Sequence, residues 1–311
     1  MITVNLYNKE YKIEWDEFIN NSKNGTFMLN RDYMDYHSDR FEDYSLMFYD
    51  EQNLIALMPA SKHDNEVRSH GGLTYGGIIT NRKMTASKML EIFEALKEFL
   101  KSQKVKKLLY KRVPAIYFNY PSDEDLYSLF RNNAKLIRRD VSTTIDLSDK
   151  IDFNERRRRN IKKAIKNNLI FKQTDDFETY INLLSEVLKS QHDTKPVHIA
   201  EEIKILAKKF PENIKLYASF LENKMLAGVV IFETPIVAHA QYIANSEDGK
   251  IIGALDFVFD KLINDIYKEK KYFDFGISTE NDGLYLNAGL VGQKQEFGGR
   301  SIIYDFYEMD I

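Results

Sequence analysis

Residues 236–280 read IVAHAQYIANSEDGKIIGALDFVFDKLINDIYKEKKYFDFGISTE, and this stretch decides the fold. Val237–Ala244 alternates as a short strand, and Asn245-Ser-Glu-Asp-Gly-Lys250 reads as a polar turn. Apolar residues at helical spacing then predict a long amphipathic helix over about Gly253–Lys268. A second strand, Lys271–Phe275, ends in the polar Gly276-Ile-Ser-Thr-Glu280. A glycine-bearing turn feeding a helix leaves the first helical N–H groups unpaired, and those groups suit a phosphate or pyrophosphate. The turn has neither the GxxxxGK[ST] of a nucleoside-triphosphate loop nor the GxGxxG of a dinucleotide fold. A pyrophosphate-bearing carrier of another kind remains, coenzyme A foremost. Asn245, Gly249, Lys250, Ile252, Gly253 and Ala254 form the expected carrier-binding set.

Working outward, the chain says one thing twice. Ser45–Asp50 and Glu51–Ala56 flank a tight polar turn, as do Lys215–Phe220 and Leu221–Gly228. Each hairpin leads into a glycine-bearing segment and a long helix. Met84–Lys101 carries Met89, Ile92, Phe93, Leu96 and Leu100 at helical spacing; its counterpart carries Leu255, Phe259, Leu262, Ile263 and Ile266. A strand follows each helix, Lys106–Tyr110 or Lys271–Phe275. The order β-β-β-α-β therefore occurs twice, with a basic helix (Ile151–Asn168), a strand (Leu169–Gln173) and a helix (Phe177–Ser190) between the copies. The fold class expected is α+β, a mixed α/β chain of two modules covering residues 1–150 and 151–311, sharing one cleft.

Composition narrows the function. The 311 residues are 43% hydrophobic and 29% charged, the balance of a globular enzyme. Lys+Arg 44 against Asp+Glu 47 gives a formal charge of -3, so no nucleic-acid partner is expected. With no cysteine, disulfides, thiolate zinc sites, iron–sulfur clusters and cysteinyl intermediates are excluded. No window approaches the ~20 apolar residues of a spanning helix, and the N-terminus has no run of signal-peptide length. A cytoplasmic location, no transmembrane segment and no metal are expected; the oligomeric state is left open.

Several segments together carry a family likeness: Ser69-His-Gly-Gly-Leu-Thr-Tyr-Gly-Gly77, Glu155-Arg-Arg-Arg-Arg-Asn-Ile-Lys-Lys-Ala-Ile-Lys166, Ala240-Gln-Tyr-Ile-Ala-Asn245, Tyr272-Phe-Asp-Phe-Gly276 and Lys294-Gln-Glu-Phe-Gly-Gly299. With two modules in tandem, the chain resembles the FemABX-type transferases of the GNAT superfamily. It is most similar to their relatives found with bacterial cell-surface polysaccharide genes. The resemblance spans nearly the whole chain. It implies two tandem GNAT-like modules, with acyl transfer from acetyl-CoA or another acyl-CoA to an amino or hydroxyl group of a nucleotide- or lipid-linked sugar. It also implies an alternative, an aminoacyl-tRNA-dependent peptidyltransferase acting on a cell-wall precursor. The altered Lys250–Leu255 loop supports a further one, a non-catalytic GNAT-like module that binds a glycan precursor or a partner protein. The GNAT pyrophosphate loop is usually Gln/Arg-x-x-Gly-x-Gly/Ala. Here Lys250-Ile-Ile-Gly253-Ala-Leu255 keeps the basic residue and one glycine, with leucine last.

Acyl transfer from a thioester needs the reactants held in line, the oxyanion stabilised and a base for the nucleophile's proton. His239, Asp274, His70 and Glu280 are the candidate bases. Alternation puts His239, Gln241, Ile243 and Asn245 on one strand face and Ala238, Ala240, Tyr242 and Ala244 on the other. Asp274 points opposite to Phe273 and Phe275. On the basic helix, Ile161, Ala164 and Ile165 define an apolar stripe, and steps of three, four or seven residues lead to Arg157 and Arg158. These two arginines, with Lys294, Ser278, Gln241, Tyr75 and the aromatic–basic patch of Tyr36 and His37, are the candidate acceptor-binding residues.

Overall fold

The structure, a computed structural model, describes residues 1–192 and 200–311, without the side chains of His37, Ser190, Gln191, His192 and Ala200. Two compact units emerge: Met1–Asp140 with Glu280–Tyr285 and Ile303–Ile311, and Val141–Thr279 with Leu286–Ile302. Where the sequence reading has one boundary near residue 150, the chain passes between units at 140/141, 279/280, 285/286 and 302/303. The fold is mixed α/β, with antiparallel pairing dominant and helices flanking the sheets.

In the first unit, Leu46–Asp50 and Asn53–Met58 form the expected hairpin, joined on its two sides by Ile2–Leu6 and Ile79–Thr80. Helix Ala86–Ser102 begins where Thr85 accepts a hydrogen bond from the Lys88 amide and buries Met89, Ile92, Phe93, Leu96 and Leu100. Those five side chains enter one core with Leu46, Phe48, Met58, Leu108 and Tyr110. Strand Lys107–Lys111 follows, antiparallel to residues 306–310 and parallel to Glu66–Arg68.

The second unit repeats the order with Ile214–Leu221, Lys224–Glu233, Val237–Asn245, a helical segment, and Tyr272–Ile277. The first three strands run antiparallel, and Ile170–Thr174 pairs with the first of them. β-branched residues fill the buried run Val229-Val-Ile231, as suits a strand covered on both faces. Gly228 is required there: a Cβ would come within 2.8 Å of the Tyr180 ring from helix Phe177–His192.

The helical segment departs from expectation. Glu247–Ile252 is a helix, not a turn, because Ser246 caps it by accepting from the Gly249 amide at 2.9 Å. Gly253 then turns left-handed (φ 79°) and a new helix runs Ala254–Lys261, closing in a π-helical turn at Leu262–Ile266. The basic helix is Glu155–Lys166, capped by Asn154, and its buried positions are Arg157, Ile161 and Ala164. Ile165 is 56% exposed, so the stripe is narrower than the sequence reading has it.

Candidate active site

Strand register creates the site in the second unit. Val237–His239 pairs in parallel with Tyr272–Asp274, and Asp274 in turn opposes Thr144 on the strand Lys135–Asp146. His239, Asp274 and Thr144 therefore sit side by side across the sheet on one face, with Ser142 two residues along from Thr144. The His239 Nδ1 lies 2.7 Å from Asp274 Oδ2. Asp274 Oδ1 accepts from the Ser142 hydroxyl at 2.6 Å and the Thr144 hydroxyl at 2.7 Å. Burial of Asp274 opposes ionisation, but the bonds from His239, Ser142 and Thr144 outweigh it and hold the carboxyl below its ordinary value. An ionised carboxylate only accepts, so the proton of a neutral imidazole sits on Nδ1 and Nε2 carries the free lone pair.

Beyond His239 the two parallel strands part. Their pairing covers three residues, whereas Val237–Asn245 remains paired to Lys224–Glu233 along its other edge. A bulge places Gln241 as an extra residue between Ala240 and Tyr242. The bulge reverses the face: Ala238 and Ala240 pack into the core and Ile243 packs against that same core, so Ile243 and Asn245 do not share the face of His239 as strict alternation predicts. Farther along the strand, a pocket of about 490 Å³ is lined by Arg156, Arg157, Asn160, Ile243, Asn245 and Lys250, together with Val187, Leu255, Asp256 and Gln293. Its three cations carry carboxylate partners: Arg156 pairs with Glu296, Arg157 with Asp256 and Glu296, and Lys250 with Glu247. At about 3.3 Å per residue, Asn245 lies roughly 20 Å from His239 along the strand.

Two amides of the expected diphosphate cradle are already bonded within the protein. The Lys250 amide bonds the Ser246 carbonyl at 2.9 Å, and the Gly253 amide bonds that of Gly249. Gly253 also presses on the Asn160 backbone, where a Cβ would come to 2.4 Å from the carbonyl oxygen. Gly249 and Ala254 are buried and Ile252 partly so. Of the carrier-binding set, the side chains of Asn245 and Lys250 line the pocket.

Four acceptor or base candidates share the neighbourhood of His239: Asp274, Gln241, Ser278 and Lys294. Lys294 is 7% exposed and donates from Nζ to the Gly276 and Ile277 carbonyls and to Ser278 Oγ, each at 2.8 Å. A substrate phosphate, the expected partner, finds none of its three N–H donors vacant. Arg157 is buried, pairing with Asp256 at 2.9 Å and Glu296 at 3.0 Å, its guanidinium 4.4 Å from the Phe297 ring centre. Arg158 is exposed instead and lines a separate pocket with Lys150 and Lys162.

The remaining candidates lie in the first unit. His70 is buried beside Phe41, and Tyr75 is a core residue whose ring lies tilted against that of Tyr117. Tyr36 lies partly buried near Arg40, Glu280 is exposed, and the His37 side chain falls outside the described residues. In that unit the Tyr110 hydroxyl accepts from the Ile78 amide and donates to Asp125, while its ring lies under Gly77.

Sequence reasoning missed Ser142 and Thr144, although alternation along Val141–Leu147 puts two hydroxyls on one face. It also missed Asn160, Asp256 and Gln293, whose types carry no signal outside three dimensions. Among the described residues, no group of three or more His, Asp or Glu side chains is placed to hold a metal ion. None of the described helices is long and apolar enough to cross a membrane.

Solved structures share this architecture over nearly the full length. FemX superposes with a TM-score of 0.68 at 10% identity, covering 97% of this chain and 96% of that one. L-PGS from Bacillus licheniformis gives 0.60 at 11% identity, with 96% and 91% covered. A tandem GNAT protein from the clavulanic acid biosynthesis pathway gives 0.53 at 8% identity, with 100% and 98% covered. No protein-family model and no curated protein matches the chain. The chain therefore has a FemX-like tandem GNAT fold. At these identities the likeness is one of fold, and the chemistry rests on the residues above.

Proposed function

We propose that the chain is an acyltransferase that moves an acetyl or related acyl group from acyl-CoA to an amino or hydroxyl group of a nucleotide- or lipid-linked sugar. The observation that carries this reading is the His239–Asp274 pair at the point where two parallel strands part, on the strand that leads to the polar pocket. An extended carrier arm fits along the unpaired edge of Ala240–Asn245, with its diphosphate among Arg156, Arg157 and Lys250 and its thioester toward His239. Side-chain cations take the place of helix amides as the diphosphate ligands.

In the reaction, the acceptor N–H or O–H gives its proton to His239 Nε2 while the nucleophile attacks the thioester carbonyl. Asp274, accepting from Nδ1–H, stabilises the imidazolium that forms. Collapse of the tetrahedral intermediate breaks the C–S bond, and the departing thiolate takes the proton from Nε2. Neither a metal nor a covalent enzyme intermediate enters these steps.

The chain has no cysteine, so a thiol reagent reads released coenzyme A without protein background. Acetyl-CoA with a panel of amino- and hydroxy-sugar nucleotides and lipid-linked sugars is the test. Acceptor-dependent thiol release with the matching mass gain on the acceptor supports the reading. Transfer that requires charged tRNA and ignores acyl-CoA would replace it with the peptidyltransferase alternative. Binding of a glycan precursor without transfer from either donor would leave the non-catalytic module.

A further inference from the structure

Among the described residues, buried Lys294 has no direct carboxylate partner and is bonded instead to three successive residues of one segment. Its Nζ holds the Gly276 and Ile277 carbonyls and the Ser278 hydroxyl at 2.8 Å each. In that segment the sheet register slips: Asp274 opposes Thr144, yet Ile277 opposes Ser142, and Gly276 takes a left-handed turn (φ 77°). The turn lies beside the His239 ring, since a Cβ on Gly276 would stand 3.4 Å from Cε1 and 3.9 Å from Nε2. The backbone that Lys294 grips is thus the wall along the ring edge bearing the free lone pair. Lys294 comes from helix Ala288–Gln295, whose buried residues are Val291 and Lys294. An apolar side chain would fill the space at lower desolvation cost, but would leave two carbonyls and a hydroxyl without this donor. Burial pushes the ammonium down to about 8, with Asp274 opposing that drop.

We propose that Lys294 is a positioning residue: by fixing Gly276–Ser278 it sets the orientation in which His239 presents Nε2 to the reacting atoms. The proposal rests on the acyl-transfer reading of this site, while its test needs no acyl donor. Ring 15N shifts of His239 and amide exchange at Gly276–Ser278 are to be measured on the full chain, wild type against Lys294→Met and Ser278→Ala. In Lys294→Met those amides exchange at least about ten-fold faster, and the His239 ring 15N shifts move from their wild-type values while Asp274 keeps the proton on Nδ1. Amides of Val229–Ile231 keep their protection. Ser278→Ala, which retains the ammonium, gives the same ring change in smaller measure. Unaltered His239 shifts in Lys294→Met, with the loop exchanging faster, would overturn the proposal and leave Lys294 a purely structural anchor. If Lys294→Met does not fold, Ser278→Ala decides, and an unchanged ring there overturns it. Failure to bind coenzyme A would count against the acyl-transfer reading and not against this result.

Discussion

His239 and Asp274 are register partners on parallel strands, Nδ1 to Oδ2 at 2.7 Å, and the carboxylate is wholly sealed from water. Two hydroxyls bind the carboxylate's other oxygen, so its orientation is fixed from the sheet side. In Asp274→Asn, an amide nitrogen facing Nδ1 would donate, holding the imidazole in the tautomer with Nε2 protonated. The acyl-transfer rate is expected to fall roughly 10²- to 10⁴-fold while donor binding is unchanged. Single-turnover kinetics beside equilibrium binding separates the two effects. Equal loss of both would mean that the substitution damages the fold.

The buried lysine makes a prediction about pH. Lys294 has a folded value of about 8 against an ordinary 10.5. Below about 8 it is protonated in both states and contributes no slope. Between about 8 and 10.5 the unfolded chain binds more protons, so this group makes stability rise with pH as the penalty for burying the charge is relieved. The full difference is on the order of 3 kcal/mol. Urea unfolding of wild type and Lys294→Met across pH 7.5–10.5 checks the sign, because the difference cancels other titrating groups. The wild-type curve should rise relative to the variant.

Asp274 acts in the opposite window. Its folded value is depressed, so its contribution is present above the ordinary 3.8 and is lost as pH falls through the folded value. Acid unfolding of Asp274→Asn should therefore lack a component below about pH 4 that the wild type shows.

Adjacent arginines should behave oppositely. Arg157→Ala strands Asp256 in a buried place and removes the cation over Phe297, for an expected loss of about 3–5 kcal/mol by urea unfolding. Arg158→Ala removes an exposed side chain and should stay within about 0.5 kcal/mol.

Three glycines give a graded series. Gly253→Ala meets both a left-handed backbone and the Asn160 carbonyl at 2.4 Å, and should cost more than about 2 kcal/mol. Gly276→Ala, left-handed with only ordinary contact to His239, should cost about 1–2 kcal/mol. Gly292→Ala, with open space around it inside a helix, should stabilise by up to about 1 kcal/mol. Thermal unfolding ranks all three.

Periodicity made the repeated β-β-β-α-β order legible, down to the five buried positions of helix Ala86–Ser102. Alternation likewise singled out His239 and Asp274 on their strands. Register, which sets them side by side, is a property of pairing between distant segments and leaves no local trace. The Glu247–Ile252 helix was misread because Asn, Ser, Asp and Gly favour turns. The same Ser246 that suggests a turn acts here as an N-cap. Lys294 reads as an acceptor-binding residue, since nothing in Gly-Gln-Lys-Gln says that three oxygens of its own chain converge on it.

Titration of coenzyme A into the wild-type chain and into Lys250→Glu, by calorimetry with thermal shift alongside, tests whether the second unit carries an acyl donor. One-to-one binding by the wild type, stabilising it by about 2.7 kcal/mol at a hundred times Kd and weakened at least ten-fold by the charge reversal, is the expected result. A folded wild-type chain showing neither heat nor shift at millimolar coenzyme A would contradict it.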